Sequence, residues 1–215
     1  MEQFDLTTNE GLKAACGRVG PAQNWGDLHG WSEEVAKFIQ LVRDTNEEDR
    51  SSSDFQWMLW ETNPIAHVGQ CRISVASALH DPHFRRWLAE RSMAGLPTAS
   101  APRLAFLRDL HRDIEARLVG FVGRRMPHLK VFRVIAALHP EAMTTIASRE
   151  HLAELTRAMG AGRPLEDLER HVWVRERFDA VIGLPVRSTR DLAFRMTLPW
   201  MVLLDHRKQA EPSPH

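Results

Sequence analysis

The order of apolar and polar positions along the chain predicts a succession of helices. Val35, Phe38, Ile39 and Val42 recur at i, i+3, i+4 and i+7 behind Ser32, with Glu33 and Glu34 in the first turn, which is the stripe of an amphipathic helix. The polar, acidic stretch from Asn46 to Asp54 reads as a loop. Phe55 to Glu61 reads as a short helix halted by Asn63-Pro64, because a residue before proline disfavours the α region. Asp81-Pro82 predicts a helix start, with aspartate accepting from exposed amides and proline losing no needed donor. Phe84, Trp87 and Leu88 then supply the apolar face. Met93 to Pro102 is a connector rich in Gly, Pro and Ser. A long helix comes next, with Leu107, Leu110, Ile114, Leu118 and Phe121 on one side.

Leu129 to Leu138 is apolar nearly all round and predicts a buried helix ending at His139-Pro140, with a strand as the competing reading of its β-branched content. Ser148 predicts the cap of a helix ending at Gly160, and Pro164 to Ile182 predicts another, closed by Gly183. Ser188 to Met196 gives a last short helix before an apolar run, Leu198 to Leu204, broken at Pro199. The expected fold class is therefore mainly α, a compact multi-helix domain with room for a small β element near Arg72 to Val75. The expected organisation is an N-terminal segment over 1–31, a helical recognition or adaptor domain over 32–204 with a sub-boundary near 93–102, and a flexible tail over 205–215. No period of 20–50 residues repeats, so a solenoid is not expected.

Composition narrows the function classes. At 43% hydrophobic and 26% charged residues the chain is globular rather than disordered. No run of about 18 apolar residues exists, so no membrane span is expected. The polar start lacks a signal-peptide core, so a cytoplasmic location is expected. Cys16 and Cys71 alone build neither a disulfide framework nor a zinc site. The zero net charge hides an asymmetry. Residues 1–70 carry 5 basic and 12 acidic side chains, a net of −7, and residues 71–215 carry the opposite, +7. Arg103 to Arg133 holds 8 basic and 3 acidic groups. Arg108, Arg112, Arg117, Arg124, Arg125, Lys130 and Arg133 are accordingly the candidate phosphate contacts, although a solvated helix face explains the same residues.

Catalytic motifs are missing. None of the four lysines comes directly after a glycine, so there is no G-x-x-x-x-G-K-[ST] phosphate loop. No acidic residue stands two before any lysine, which removes the (D/E)-x-K pair of many nucleases. There is no G-x-S-x-G and no H-E-x-x-H, and Gly160-Ala161-Gly162 lacks a third glycine. His111-Arg112-Asp113 lacks the later asparagine, the D-F-G and the glycine-rich loop of a kinase. His111 falls near the stripe of Leu107, Ile114 and Leu118, where a packed, hydrogen-bonded histidine is expected. His80-Asp81-Pro82-His83 offers two ligands across a helix start, which is not a metal site. No catalytic residue, metal or cofactor is expected. The most unusual cluster is Trp57, Trp60, Asn63, His67 and Gln70. Indole stacking beside amide hydrogen bonds is how an extruded base is read, so these five form a candidate base or ligand pocket. The competing reading makes both tryptophans core anchors.

Five longer stretches carry a resemblance. They are Trp60-Glu-Thr-Asn-Pro-Ile-Ala-His-Val-Gly-Gln70, Ile73-Ser-Val-Ala-Ser-Ala-Leu-His-Asp-Pro-His-Phe84, Leu129-Lys-Val-Phe-Arg-Val-Ile-Ala-Ala-Leu-His-Pro140, His171-Val-Trp-Val-Arg-Glu-Arg177 and Arg195-Met-Thr-Leu-Pro-Trp200. Together they resemble the N-terminal region of bacterial McrB-like, restriction-associated AAA+ ATPases, over about Ser32 to Leu204. In such systems an N-terminal part recognises DNA, a AAA+ motor hydrolyses nucleotide and a McrC-type nuclease subunit cuts. The resemblance implies a non-catalytic DNA-recognition module of a modification-dependent restriction or phage-defence system, with DNA, a AAA+ ATPase and a McrC-type subunit as partners. This chain departs from that pattern in carrying no motor and no phosphate loop, and no residue-level site is implied. Two other readings stay open at this point: a helical adaptor or regulatory module docking on an ATPase or another defence protein, and a small-molecule enzyme with an unfamiliar site.

Overall fold

The computed structural model describes residues 4–20, 27–66, 73–183 and 185–210, and over them the chain is mainly α-helical. The helices are α1 (Asn9–Arg18), α2 (Asp27–Asp44), α3 (Glu47–Arg50), α4 (Ser53–Trp57), α5 (Ala76–His80), α6 (Pro82–Ser92), α7 (Ser100–Val122), α8 (His128–Leu138), α9 (Arg149–Ala158), α10 (Asp167–Ile182) and α11 (Thr189–Ala210). A wider, π-type turn over Met58–Thr62 continues α4. Among the described residues there is no strand. Ile73 to Val75, within the expected small β element, is irregular, and Arg72 lies outside the described residues. Also among the described residues, no helix is long and apolar enough to cross a membrane.

The chain divides into two units, Met1–Ala36 with Glu141–His215, and Lys37–Pro140. The connector at 93–102 falls inside the second. In the first unit α10 packs on α9 and α11, and α1 packs on α10 and α11. Leu12, Leu155, Val174, Phe178, Met201 and Leu203 are fully shielded at its centre. In the second unit α7 lies on α8, and α8 lies on the π-type turn. Leu107, Leu110, Ile114 and Leu118 bury the expected face of α7, and Val131, Val134 and Ile135 bury that of α8. Each such side chain contributes about 1.5–3 kcal/mol on leaving water. Phe121 lies at the edge of that face, 36% exposed, with its ring against Phe84.

Local chemistry sets most of the boundaries. The Asp81 carboxylate accepts from the amides of His83 (2.7 Å) and Phe84 (2.8 Å) and caps α6, with Pro82 in its first turn. Replacing Asp81 by alanine should cost about 1 kcal/mol in a chemical denaturation series, the ordinary value of a lost cap. The Ser148 hydroxyl accepts from His151 N–H and starts α9. Gly183, at φ 65°, ends α10 in the left-handed conformation that glycine tolerates.

Several boundaries differ from the expectation: α2 begins at Asp27 rather than behind Ser32, α7 at Ser100 within the expected connector, and α10 at Asp167 rather than Pro164. The acidic stretch after Asn46 is not all loop, because Asn46 caps the short α3 and Ser52 caps α4. Pro199 does not break the last helix. It is buried within α11, where Thr145 donates its N–H (3.0 Å) and its hydroxyl (3.1 Å) to the Met196 carbonyl, in the turn that the proline disturbs. The segment after 204 is helical to Ala210 rather than a tail from 205, because Arg207 pairs with Glu154 (Nε to Oε1, 2.8 Å) and Asp205 lies 3.6 Å from Arg18.

Candidate functional site

The candidate basic residues separate into two groups. Arg108, Arg112, Arg117, Arg124 and Arg125 are exposed, on α7 and on the turn after it. Arg108 and Arg112 are one helical turn apart, and Val119, 54% exposed, lies on the same side of α7. Arg112 pairs with Asp109 at 2.7 Å, and the Arg117 guanidinium lies 4.3 Å above the Trp87 ring. Lys130 and Arg133 serve the fold instead. Lys130 is buried with its Nζ 2.7 and 2.6 Å from the two carboxylate oxygens of Glu61. Arg133 donates to the carbonyls of Ile65 (3.1 Å) and Asn63. Both are held by internal acceptors and neither is exposed, so five of the seven residues remain as exposed candidate contacts.

The aromatic cluster separates in the same way. Trp60 is fully buried against Phe84, with ring centroids 6.1 Å apart, and its indole N–H lacks a hydrogen-bond partner. Asn63 is buried as well. Its amide donates to the Leu59 and Arg133 carbonyls and its oxygen accepts from Ile65 N–H, all within the protein. These two residues brace the turn after the π-type segment and do not present a surface for stacking. Trp57 is 45% exposed, while His67 and Gln70 lie outside the described residues.

A different set of side chains converges where α7 meets α8. His111 and Glu115 are one turn apart on α7, and His128 is the first residue of α8. The five-residue connection from Gly123 to Pro127 turns the chain back, so that His128 Nδ1 comes within 2.7 Å of Glu115 Oε1. His111 Nε2 is 3.5 Å from the same oxygen. The three atoms all lie within 4.8 Å of one another. Glu115 Oε1 and His128 Nδ1 are buried and neither makes a hydrogen bond of acceptable geometry, although their side chains are 27% and 41% exposed. His111 stacks on Phe132, with ring centroids 5.2 Å apart and 26° between planes. The expectation of a packed histidine near Leu107, Ile114 and Leu118 therefore describes its ring. The expectation that no set of metal ligands comes together does not describe this cluster. The signal in the sequence is His111 with Glu115 at i, i+4; the third member depends on how the turn closes.

Two further polar clusters are internal to the first unit. His171 on α10 is buried, and its Nδ1 accepts from the Thr144 N–H at 3.3 Å and lies 2.9 Å from the Thr144 hydroxyl. Burial pushes its pKa down to about 3, so the imidazole is neutral. One turn on, the buried Arg175 donates to the Met143 carbonyl at 3.1 Å and lies 3.6 Å from Asp179, which also accepts from Arg195 at 2.9 Å. Burial pushes the Cys16 thiol up to about 12, which removes thiolate chemistry at neutral pH. Cys71 lies outside the described residues. Compared with protein-family models, curated proteins and solved structures, the chain has no match.

Proposed function

We propose that the chain is a non-catalytic DNA-recognition module of a modification-dependent restriction or phage-defence system, working beside a AAA+ motor and a separate nuclease. The observation that carries this reading is the exposure of Arg108, Arg112, Arg117, Arg124 and Arg125 on one helix and its adjoining turn. Arginines in such an array hold phosphates and fix the position of a domain on a duplex. The resemblance to McrB-like N-terminal regions supports the same role. Exposed Trp57 is the one member of the aromatic pair able to reach a base, so reading of a modified base falls to it and to groups outside Trp60 and Asn63. Binding of plain and cytosine-modified duplexes, measured at two salt concentrations, tests the proposal. It predicts complexes at low salt that weaken steeply as salt rises, because each neutralised phosphate releases counterions. Absence of any complex at low salt contradicts it.

A protein partner is the second possibility for the same face. Asp109 and Asp113 interleave the arginines of α7, and Val119 exposes apolar surface on the side of Arg108 and Arg112. Mixed charge around an apolar centre suits a protein partner. In that reading the module docks on the ATPase, and co-purification with the motor in the absence of DNA supports it.

A further inference from the structure

We propose that His111, Glu115 and His128 form a binding site for one divalent transition-metal cation of the zinc class. Glu115 and His128 make a close contact that a hydrogen bond does not explain. Glu115 Oε1 and His128 Nδ1 are buried 2.7 Å apart, yet the pair lacks hydrogen-bond geometry. With neither atom protonated, two lone-pair donors this close repel, so the contact calls for a proton on the imidazole or a cation between the two atoms. His111 Nε2, 3.5 Å from the same oxygen, completes a triangle whose sides are all at most 4.8 Å.

That triangle has the right size for an ion. Zinc holds imidazole nitrogen and carboxylate oxygen at about 2.0–2.1 Å, which in a tetrahedron sets neighbouring ligand atoms about 3.3–3.4 Å apart. The separations of 2.7 and 3.5 Å from Glu115 Oε1 bracket that value. The third side, His111 Nε2 to His128 Nδ1, is at most 4.8 Å, so closing the triangle on an ion asks for rotamer adjustments at these side chains. Two imidazoles and one carboxylate favour zinc, cobalt or iron over magnesium and calcium, which take oxygen shells. The set leaves a fourth position for water. The 41% exposure of the His128 side chain provides the entry route, and the Phe132 ring backs His111 on the protein side.

The placement also suggests a role. Two ligands come from the middle of α7 and the third opens α8, so an ion would tie the start of α8 to the side of α7 and brace the connection between them, which carries Arg124 and Arg125. Its effect on phosphate contacts rests on the DNA-recognition reading, whereas metal uptake does not. The two therefore fail separately.

The test uses the full chain, free of any tag and stripped with a chelator, titrated calorimetrically with Zn2+ and monitored with Co2+ by visible absorption. The expected result is one equivalent bound, no competition by Mg2+, and a rise in Tm with zinc. Glu115→Gln and His128→Asn should each weaken binding at least about tenfold with an unchanged circular-dichroism spectrum, since losing even a supporting group around a metal costs about 10–100-fold. His151→Asn, outside the cluster, should bind as the unmodified chain does. No uptake, or uptake equal in Glu115→Gln and His128→Asn to that of the unmodified chain, overturns the proposal. Should those variants fail to fold, X-ray absorption of the zinc-loaded unmodified chain decides instead. A shell of two imidazoles and a carboxylate oxygen supports the site, and a shell containing sulfur or only one imidazole overturns it.

Discussion

Replacing Asp179 by asparagine should destabilise the protein by about 1–2 kcal/mol, less than the roughly 3–5 kcal/mol of a fully buried pair, because the Asp179 side chain is 36% exposed and solvent screens it in part. Asp179 is the carboxylate shared by two guanidiniums, Arg195 at 2.9 Å and Arg175 at 3.6 Å, and both arginines are buried. Burial is the main influence holding the Arg175 pKa below its ordinary value; the Asp179 charge opposes that shift and the Arg195 charge adds to it. Asparagine keeps the shape and removes the charge, leaving two like charges close together. Arg175 keeps its bond to the Met143 carbonyl, which balances no charge. Urea denaturation of Asp179→Asn, Arg175→Met and the double variant measures the coupling as a cycle. The double variant should recover part of the loss, because one of the two buried cations is gone. A loss below about 0.5 kcal/mol for Asp179→Asn would mean that solvent reaches this pair and screens it, as at a surface bridge.

Acid should unfold the protein earlier than its carboxylates alone would cause, because of His171. In the fold this imidazole is desolvated and its pKa is about 3; in the unfolded chain it is about 6.5. Above pH 6.5 both states are neutral at this group and it costs nothing. As the pH falls from 6.5 towards 3, only the unfolded state takes up the proton. Stability then drops by about 1.4 kcal/mol per pH unit from this residue alone. The hydrogen bonds agree with that state, since the Thr144 amide can only donate to Nδ1. Protonation would also place a second cation one turn from Arg175 on α10. Denaturation from about pH 7 to about pH 4, where this linkage acts, compares the unmodified chain with His171→Gln. The variant starts less stable, but its stability should fall less steeply, by close to that increment per unit. Parallel curves would mean that His171 accepts a proton in the folded state.

Much of this fold is legible from local chemistry, and the exceptions have identifiable causes. Asp81-Pro82, Ser148 and Gly183 mark helix ends because each acts within one turn of its own position. The stripe Leu107, Leu110, Ile114 and Leu118 and the apolar Leu129 to Leu138 segment are legible because burial tracks the helical period. Pro199 is misread because its helix is sustained by Thr145, more than fifty residues earlier. Lys130 and Arg133 look like surface cations until Glu61 and the Asn63 and Ile65 carbonyls are brought to them from about seventy residues away. Trp60 and Asn63 look like a pocket for the same reason. Their partners, Phe84 and the Arg133 carbonyl, are remote in sequence. At the His111, Glu115 and His128 cluster the i, i+4 pair is visible in the sequence. The third member is not, because its position depends on α8 folding back against α7. Residues whose role is set by their own turn are readable one at a time, and residues whose role is set by a distant partner are not.

The central claim, that exposed arginines on α7 and its adjoining turn hold nucleic-acid phosphates, is tested most directly by the salt slope of duplex binding. The apparent association constant of the unmodified chain is to be compared with that of Arg124→Ala/Arg125→Ala over a salt series, with Arg133→Ala as the internal control. A slope that becomes shallower by about 2 in the double variant is the predicted result, since each lost phosphate contact removes about 0.9. Arg133→Ala should leave the slope unchanged in whatever fraction stays folded, because its guanidinium is committed to the Asn63 and Ile65 carbonyls. Equal slopes for the unmodified chain and the double variant would contradict the claim.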